Sequence, residues 1–179
     1  MKQIALPLAA ADARSLRAGD AVLLSGTIYT ARDRAHELME NLLKAGKKLP
    51  IDLEDAVISY CGPCPAPPGR VIGSCGPTSA TRMDPYAPLF FDHGVRAVIA
   101  KGPFAPAVVD AIRRNEALYL CATGGAGALL ADCVESMEEC AFPELGTESI
   151  KKLVVRDMPL IVGIDAGGRS LFPSAPEPS

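Results

Sequence analysis

"VRAVIAKGPFAPAVVDAIRRNEALYLCATGG", Val95 to Gly125, decides the fold. Its first part, 95–102, is an apolar run closed by Lys101-Gly102, the pattern of a buried strand. The stretch "APAVVDAIRRNE" (105–116) then carries helical composition, and "ALYLCATGG" (117–125) reads as a strand again. Strand, helix and strand in quick succession mark an α/β architecture.

The same alternation extends outward. "DAVLLSGTIYT" (20–30) reads as a strand. In "ARDRAHELMENLLKAG" (31–46), Ala31, Ala35, Leu38, Met39, Leu42 and Leu43 recur at helical spacing. Thr30 is the expected N-cap and Gly46 the expected C-cap. "DAVISYCG" (55–62) predicts a second strand and "RVIGSCG" (70–76) a third. Between them, the prolines of "PCPAPPGR" (63–70) exclude a helix or central strand and leave a rigid loop. "TSATRMDPYAPLFFDHG" (78–94) predicts a helix interrupted at Pro85 and Pro88 and closed by Gly94. "AGALLADCVESMEE" (126–139) predicts a further helix. "SIKKLVVRDMPLIVGIDAGGRSLF" (149–172) predicts two strands around a turn at Asp165–Gly168, and "PSAPEPS" (173–179) a frayed tail. No internal repeat or long linker divides the 179 residues, so one domain is expected over 1–172.

Composition narrows the function. A chain of this length buries roughly 70% of its unfolded surface and needs neither disulfide nor metal to fold. The hydrophobic fraction is 49% and tryptophan is absent, so aliphatic side chains must build the core. A net charge of -3, with no Lys/Arg cluster, argues against nucleic acid. The apolar patch at the N-terminus is broken by Asp12 and Arg14, too soon for a membrane span or signal peptide. A cytoplasmic protein is expected, with the six cysteines as free, partly buried thiols.

Polar residues gather where strands end: Thr27, Thr30 and Arg32; Thr78, Ser79, Thr81 and Arg82; Lys101 and Gly102; Thr123, Gly124 and Gly125. In α/β folds, ligands bind at the carboxyl ends of strands. Arg32, Arg82 and Lys101 on one rim would suit a small polycarboxylate or a phosphate. A guanidinium grips a carboxylate in a fixed plane. Thr78 reads equally as a helix N-cap or as a hydroxyl that binds substrate or carries a proton. His36 either polarises substrate or makes a structural hydrogen bond; His93 sits favourably at a helix C-terminus. Cys61-Gly-Pro-Cys64 is a CxxC, but its prolines forbid the helix that a redox CxxC needs, and no second CxxC completes a zinc site. Cys75 is close enough in sequence to keep a three-cysteine cluster open. "TGGAGA" (123–128) resembles a phosphate-cradling loop before a helix but matches neither the P-loop nor GxGxxG, and reads alternatively as a place of close backbone packing.

Five segments together resemble one family: "SGTIYTARDRAH" (25–36), "GPCPAPPGRVIGSCGPTSATRMDPY" (62–86), "VIAKG" (98–102), "TGGAGALLA" (123–131) and "PLIVGIDAGGRSLF" (159–172). They are similar, in order from Gly19 to Phe172, to the beta subunit of class I, iron–sulfur-dependent fumarate hydratase, a family that also holds the L-tartrate dehydratase beta subunit. The resemblance implies a swivelling β/β/α domain and a hydro-lyase that hydrates fumarate to L-malate reversibly. It implies a [4Fe-4S] cluster on an alpha subunit, with none in this chain, and an α2β2 assembly. It assigns Arg32, Arg82 and Lys101 to the substrate carboxylates, and Thr78 to substrate binding and proton transfer. "PCPAPPGRVIGS" is closer to the fumarate branch than to the tartrate branch. Outside the family, the same cations would suit a non-catalytic carboxylate- or phosphate-binding regulatory module. The lone chain is expected to self-associate through the surface it would give its partner.

Overall fold

A computed structural model describes residues 1–172; the tail expected at 173–179 lies outside the described residues. Seven strands form one sheet: β1 (Lys2–Ala5), β2 (Ala21–Thr30), β3 (Val57–Ser59), β4 (Ala97–Ala100), β5 (Leu118–Cys121), β6 (Val134–Ala141) and β7 (Ile150–Ile164). β2, β3, β4 and β5 run parallel in that spatial order. β7 lies antiparallel to both β5 and β2. That double pairing closes a five-stranded mixed barrel, β2-β3-β4-β5-β7. β1 and β6 flank it as outer strands.

The two long strands each change neighbours midway. β2 pairs with β1 through Val22–Ser25 and with β3 at Tyr29 and Thr30. β7 pairs with β6 over its first half and with β5 over its last residues. The register between them sets Thr30 opposite Lys151.

Side-chain alternation separates two cores. Val22, Leu24, Ile28, Val57, Ile99, Leu118, Leu120, Leu153 and Val162 fill the barrel, joined by residues of α1 (Ala10–Ser15) and α5 (Gly127–Asp132). Ile58, Val98, Ala100 and Tyr119 face outward, under α2 (Asp33–Lys44), α3 (Ala87–Asp92) and α4 (Pro106–Arg114). Strands buried on both faces read as continuous apolar runs, which is why β3 and β4 were legible. In α4, Val108, Ala111 and Ile112 form the buried stripe, and Pro106 occupies a first-turn position where no N–H is needed.

Several expectations are corrected. Residues 70–76 form no strand. Their backbone bonds go to single partners instead: Gly73 N–H to Cys64 O at 3.2 Å, and Cys75 N–H to Gly127 O at 2.9 Å. β3 pairs directly with β4, leaving no slot for another strand. A Cβ on Gly73 would lie 2.4 Å from Pro65 O, so this segment is pressed against the proline loop. The second half of 126–139 is strand β6, not helix: from Glu135 to Cys140 it is exposed, as an edge strand over β7 can be. β7 is one long strand; after the turn, where Gly168 N–H bonds Asp165 O at 2.8 Å, a single bridge among the described residues, Ile164 to Ser170, returns. Residues 78–94 divide into a 3₁₀ turn, Ala80–Met83, and α3, whose start Pro88 occupies rather than interrupts. Thr30 does not cap α2; Arg32 is the N-cap residue, and Thr30 Oγ1 accepts the Lys151 N–H at 3.2 Å. The C-cap is Ala45, with Gly46 one residue beyond at positive φ. β1 and α1 had no counterpart in the sequence reading.

Candidate functional site

The four parallel strands all end at one rim. Arg32 follows β2, Tyr60 to Gly62 follow β3, Lys101 and Gly102 follow β4, and Thr123 follows β5. Residues 78–80 wedge between the ends of β3 and β4. Thr78 N–H donates to Tyr60 O at 2.7 Å, Lys101 N–H to Thr78 O at 3.2 Å, and Ala80 N–H to Lys101 O at 2.8 Å. The Gly76-Pro77 turn thus delivers Thr78 to the rim as an added sheet element. Ser79, not Thr78, is the N-cap residue of the 3₁₀ turn, and no side chain caps it.

A hollow of about 500 Å³ opens there, lined among others by Ser79, Thr81, Lys101, Gly102, Cys121 and Thr123. Lys101 is half-buried and takes part in no ion pair among the described residues. Tyr119 OH donates to Gly102 O at 2.8 Å and fixes the turn after Lys101.

Of the four expected site residues, Lys101 alone lines this hollow. Thr78 is tied to it through the backbone. The two arginines form a neighbouring group. Arg32 Nη1 lies 3.5 Å from Glu148 Oε1, and the Arg32 side chain runs beside Gly62. Arg82, largely exposed, reaches Asp33 Oδ2 at only 3.9 Å. Arg32 Nε, Asp33 Oδ1 and Glu148 Oε2 are buried without a hydrogen-bond partner among the described residues. Buried polar atoms are normally satisfied, so this cluster has unused capacity for a polar ligand.

His36 lies in α2, one turn after Arg32. It is fully buried, with Nδ1 2.9 Å from the Arg32 carbonyl, and its ring packs edge-on against Phe90 and Tyr60. Burial pushes its pKa down to about 4, partly opposed by the Arg32 carbonyl and Asp33. The neutral ring meets the Arg32 carbonyl through Nδ1, while its Nε2 is buried without a hydrogen-bond partner among the described residues. His93 Nδ1 lies 2.7 Å from Leu89 O at the end of α3, as its position suggested. "TGGAGA" divides: a Cβ on Gly127 would lie 2.3 Å from Ser74 Oγ, so that glycine serves close packing, whereas Thr123 and Gly124 line the hollow.

Glu148, Asp33 and Tyr119 were missed. Asp33 had a signal, because it follows Arg32 directly. Glu148 had none: it sits in the 3₁₀ segment Pro143–Glu148, and only the fold brings it to Arg32. Buried Lys151 and Ser149 form a second polar chain nearby with the exposed Glu139, Ser149 Oγ donating to Glu139 Oε1 at 2.7 Å and Lys151 Nζ to Gly146 O at 3.0 Å. Burial lowers the Lys151 pKa, opposed by Glu139 and Cys61.

Among the described residues, no group of three or more His, Cys, Asp or Glu is arranged to hold a metal ion. Cys61 and Cys75 meet, but Cys64 is exposed. These residues do not fit an iron–sulfur cluster.

A family model described as the fumarase C-terminus matches residues 1–175. The chain is 41% identical over 151 residues to the anaerobic class I fumarate hydratase of Escherichia coli, covering 83% of this chain and 28% of that protein. It is 38% identical over 156 residues to fumarate hydratase 2 of Leishmania major, covering 86% and 28%. It is 36% identical over 167 residues to a putative L(+)-tartrate dehydratase subunit beta of Methanocaldococcus jannaschii, covering 90% and 86%. The chain thus spans less than a third of the length of these fumarate hydratases, and most of the length of the beta subunit. This protein belongs to the fumarase C-terminal family, the family of class I fumarate hydratase and the tartrate dehydratase beta subunit.

Proposed function

We propose that the chain is the beta component of a hydro-lyase that interconverts fumarate and L-malate. An alpha partner, in an α2β2 assembly in the cytoplasm, carries the [4Fe-4S] cluster. The chain closes over that partner as a swivelling lid and supplies fixed positive charge.

The observation that carries this reading is Lys101, an ammonium without a carboxylate partner among the described residues, set among hydroxyls on the rim of a chain with this family match. Removing a proton beside a carboxylate adds a further negative charge to a substrate that already carries two, and the new charge is delocalised into that carboxylate. Preorganised cations lower the energy of that charge because they need no reorganisation as it forms. Lys101 takes one carboxylate. Arg32, held by Glu148, and Arg82 take the other. Thr78, anchored between Tyr60 and Lys101, presents its hydroxyl to the proton being moved. A threonine hydroxyl is a weak base, so it needs a carboxylate acceptor from the partner.

L-Tartrate is the second reading, favoured by one observation: the relative of matching length is named a tartrate dehydratase subunit. The test is anaerobic reconstitution with the alpha partner, following fumarate absorbance with L-malate and product release with L-tartrate. Turnover of L-malate, only in the mixture, is expected. Preference for tartrate selects the second reading. A mixture that binds diacid but turns over neither leaves a carboxylate- or phosphate-binding module instead.

A further inference from the structure

Cys61 and Cys75 play no part in the reading above, yet they are the two cysteines the fold brings together. Cys61 directly follows Tyr60 at the end of β3, and Cys75 lies three residues before Thr78. Their sulfurs are 3.2 Å apart and both residues are buried, at 1% and 3% exposure. Neither lies within a helix or strand. Closing the gap to a disulfide bond of about 2.05 Å takes about an ångström of movement, which such segments allow more readily than a sheet does.

The surroundings make the two thiols unequal. The hydrogen bond from Cys75 holds the Cys61 thiol below its ordinary range, against the effect of burial. Ser59 and the charges of Lys151 and Arg32 act in the same direction. Cys75 is raised, first by its bond to Cys61 and then by burial. Thiolate character sets which sulfur attacks.

We propose that Cys61 and Cys75 are a reversible oxidation site, in which a hydroperoxide converts the thiol pair into an intramolecular disulfide. The Cys61 thiolate attacks a peroxide oxygen and breaks the O–O bond. This gives the Cys61 sulfenic acid, and a proton completes the departing water or alcohol. The Cys75 sulfur then attacks the Cys61 sulfur and expels the sulfenic oxygen as water, losing its own proton. The protein loses two electrons and the peroxide gains them; with hydrogen peroxide two waters form in all. Buried sulfur is reached by a small peroxide more readily than by a protein thiol. The bond would lock the 60–62 turn, beside Arg32, to the segment that carries Thr78.

The test needs only the full chain. It is treated with hydrogen peroxide under native conditions, alkylated, digested and mapped by mass spectrometry, with and without later dithiothreitol. A Cys61–Cys75 linkage is expected, with two of the six cysteines protected from alkylation and freed again by the reductant. Cys64→Ser should leave the linkage intact. Cys75→Ser should leave a Cys61 sulfenic acid that dimedone traps. Full alkylation of Cys61 and Cys75 after peroxide, or linkage through Cys64 instead, overturns the proposal. Neither outcome bears on whether the reconstituted protein turns over a diacid.

Discussion

Lys101 sits where an apolar strand stops and a glycine turn begins, so its charge is fixed by backbone on both sides. A charge-assisted hydrogen bond is worth roughly 1.5–3 kcal/mol. Lys101→Ala in the reconstituted protein should therefore lower kcat/KM for the diacid about 10- to 100-fold, with kcat falling as well. Thermal stability should be unchanged, and both are read from steady-state kinetics and a melting curve. His36 gives a pH prediction of definite sign. Its folded-state pKa, about 4, lies below the unfolded value of 6.5, because burial favours the neutral ring. The unfolded chain thus binds the proton first as pH falls. Stability from this group is complete above pH 6.5 and is lost between 6.5 and about 4. The loss is of order 3 kcal/mol, measurable by urea denaturation at pH 7 and pH 4.5. His36→Gln should flatten that part of the profile. At this scale the place of Lys101 at a strand end beside the hollow was legible, since a lysine ending an apolar run stands out. The sequence hid Glu148, whose role exists only through a contact with a distant part of the chain.

The elements that were legible are those whose periodicity is uninterrupted. β2, α2, β4, α4 and β5 follow their patterns, because each has one clear buried face or is buried on both. Residues 70–76 failed for a different reason. "RVIGSCG" has a strand's composition, but a strand needs a free neighbour edge, and β3 and β4 already occupy each other's. The segment is held instead by close contact with the proline loop. Gly73→Ala should accordingly cost about 1–3 kcal/mol by overpacking, since the new methyl meets the Pro65 and Cys64 carbonyls at 2.4 and 2.5 Å. A chemical denaturation curve tests this. β6 was misread because its helix-forming glutamates sit on an exposed edge, where packing against β7 overrides propensity.

Across the whole molecule, closure rests on β7, the antiparallel strand that bonds to both β2 and β5. Every barrel strand is thereby paired on both sides for part of its length, and opening any one of them breaks the ring. Hydrogen exchange should show β2, β4, β5 and the 153–162 part of β7 protected to the global unfolding limit. Residues 135–140 of β6, exposed at the edge, should exchange orders of magnitude sooner by local opening. A gradient running the other way would contradict the closed ring. The α/β class followed from alternation along the chain. The ring did not, because closure depends on a pairing between an early and a late strand that no local pattern announces.

The alignment of Thr30 with Lys151 makes β7 a ruler for the site. Glu148 lies just upstream of that strand and clamps Arg32. Sliding β7 by two residues would keep every side chain on its own face yet carry the acid about 6–7 Å from the guanidinium. The electrical balance at the mouth of the barrel is thus calibrated by how a strand near the end of the sequence is threaded.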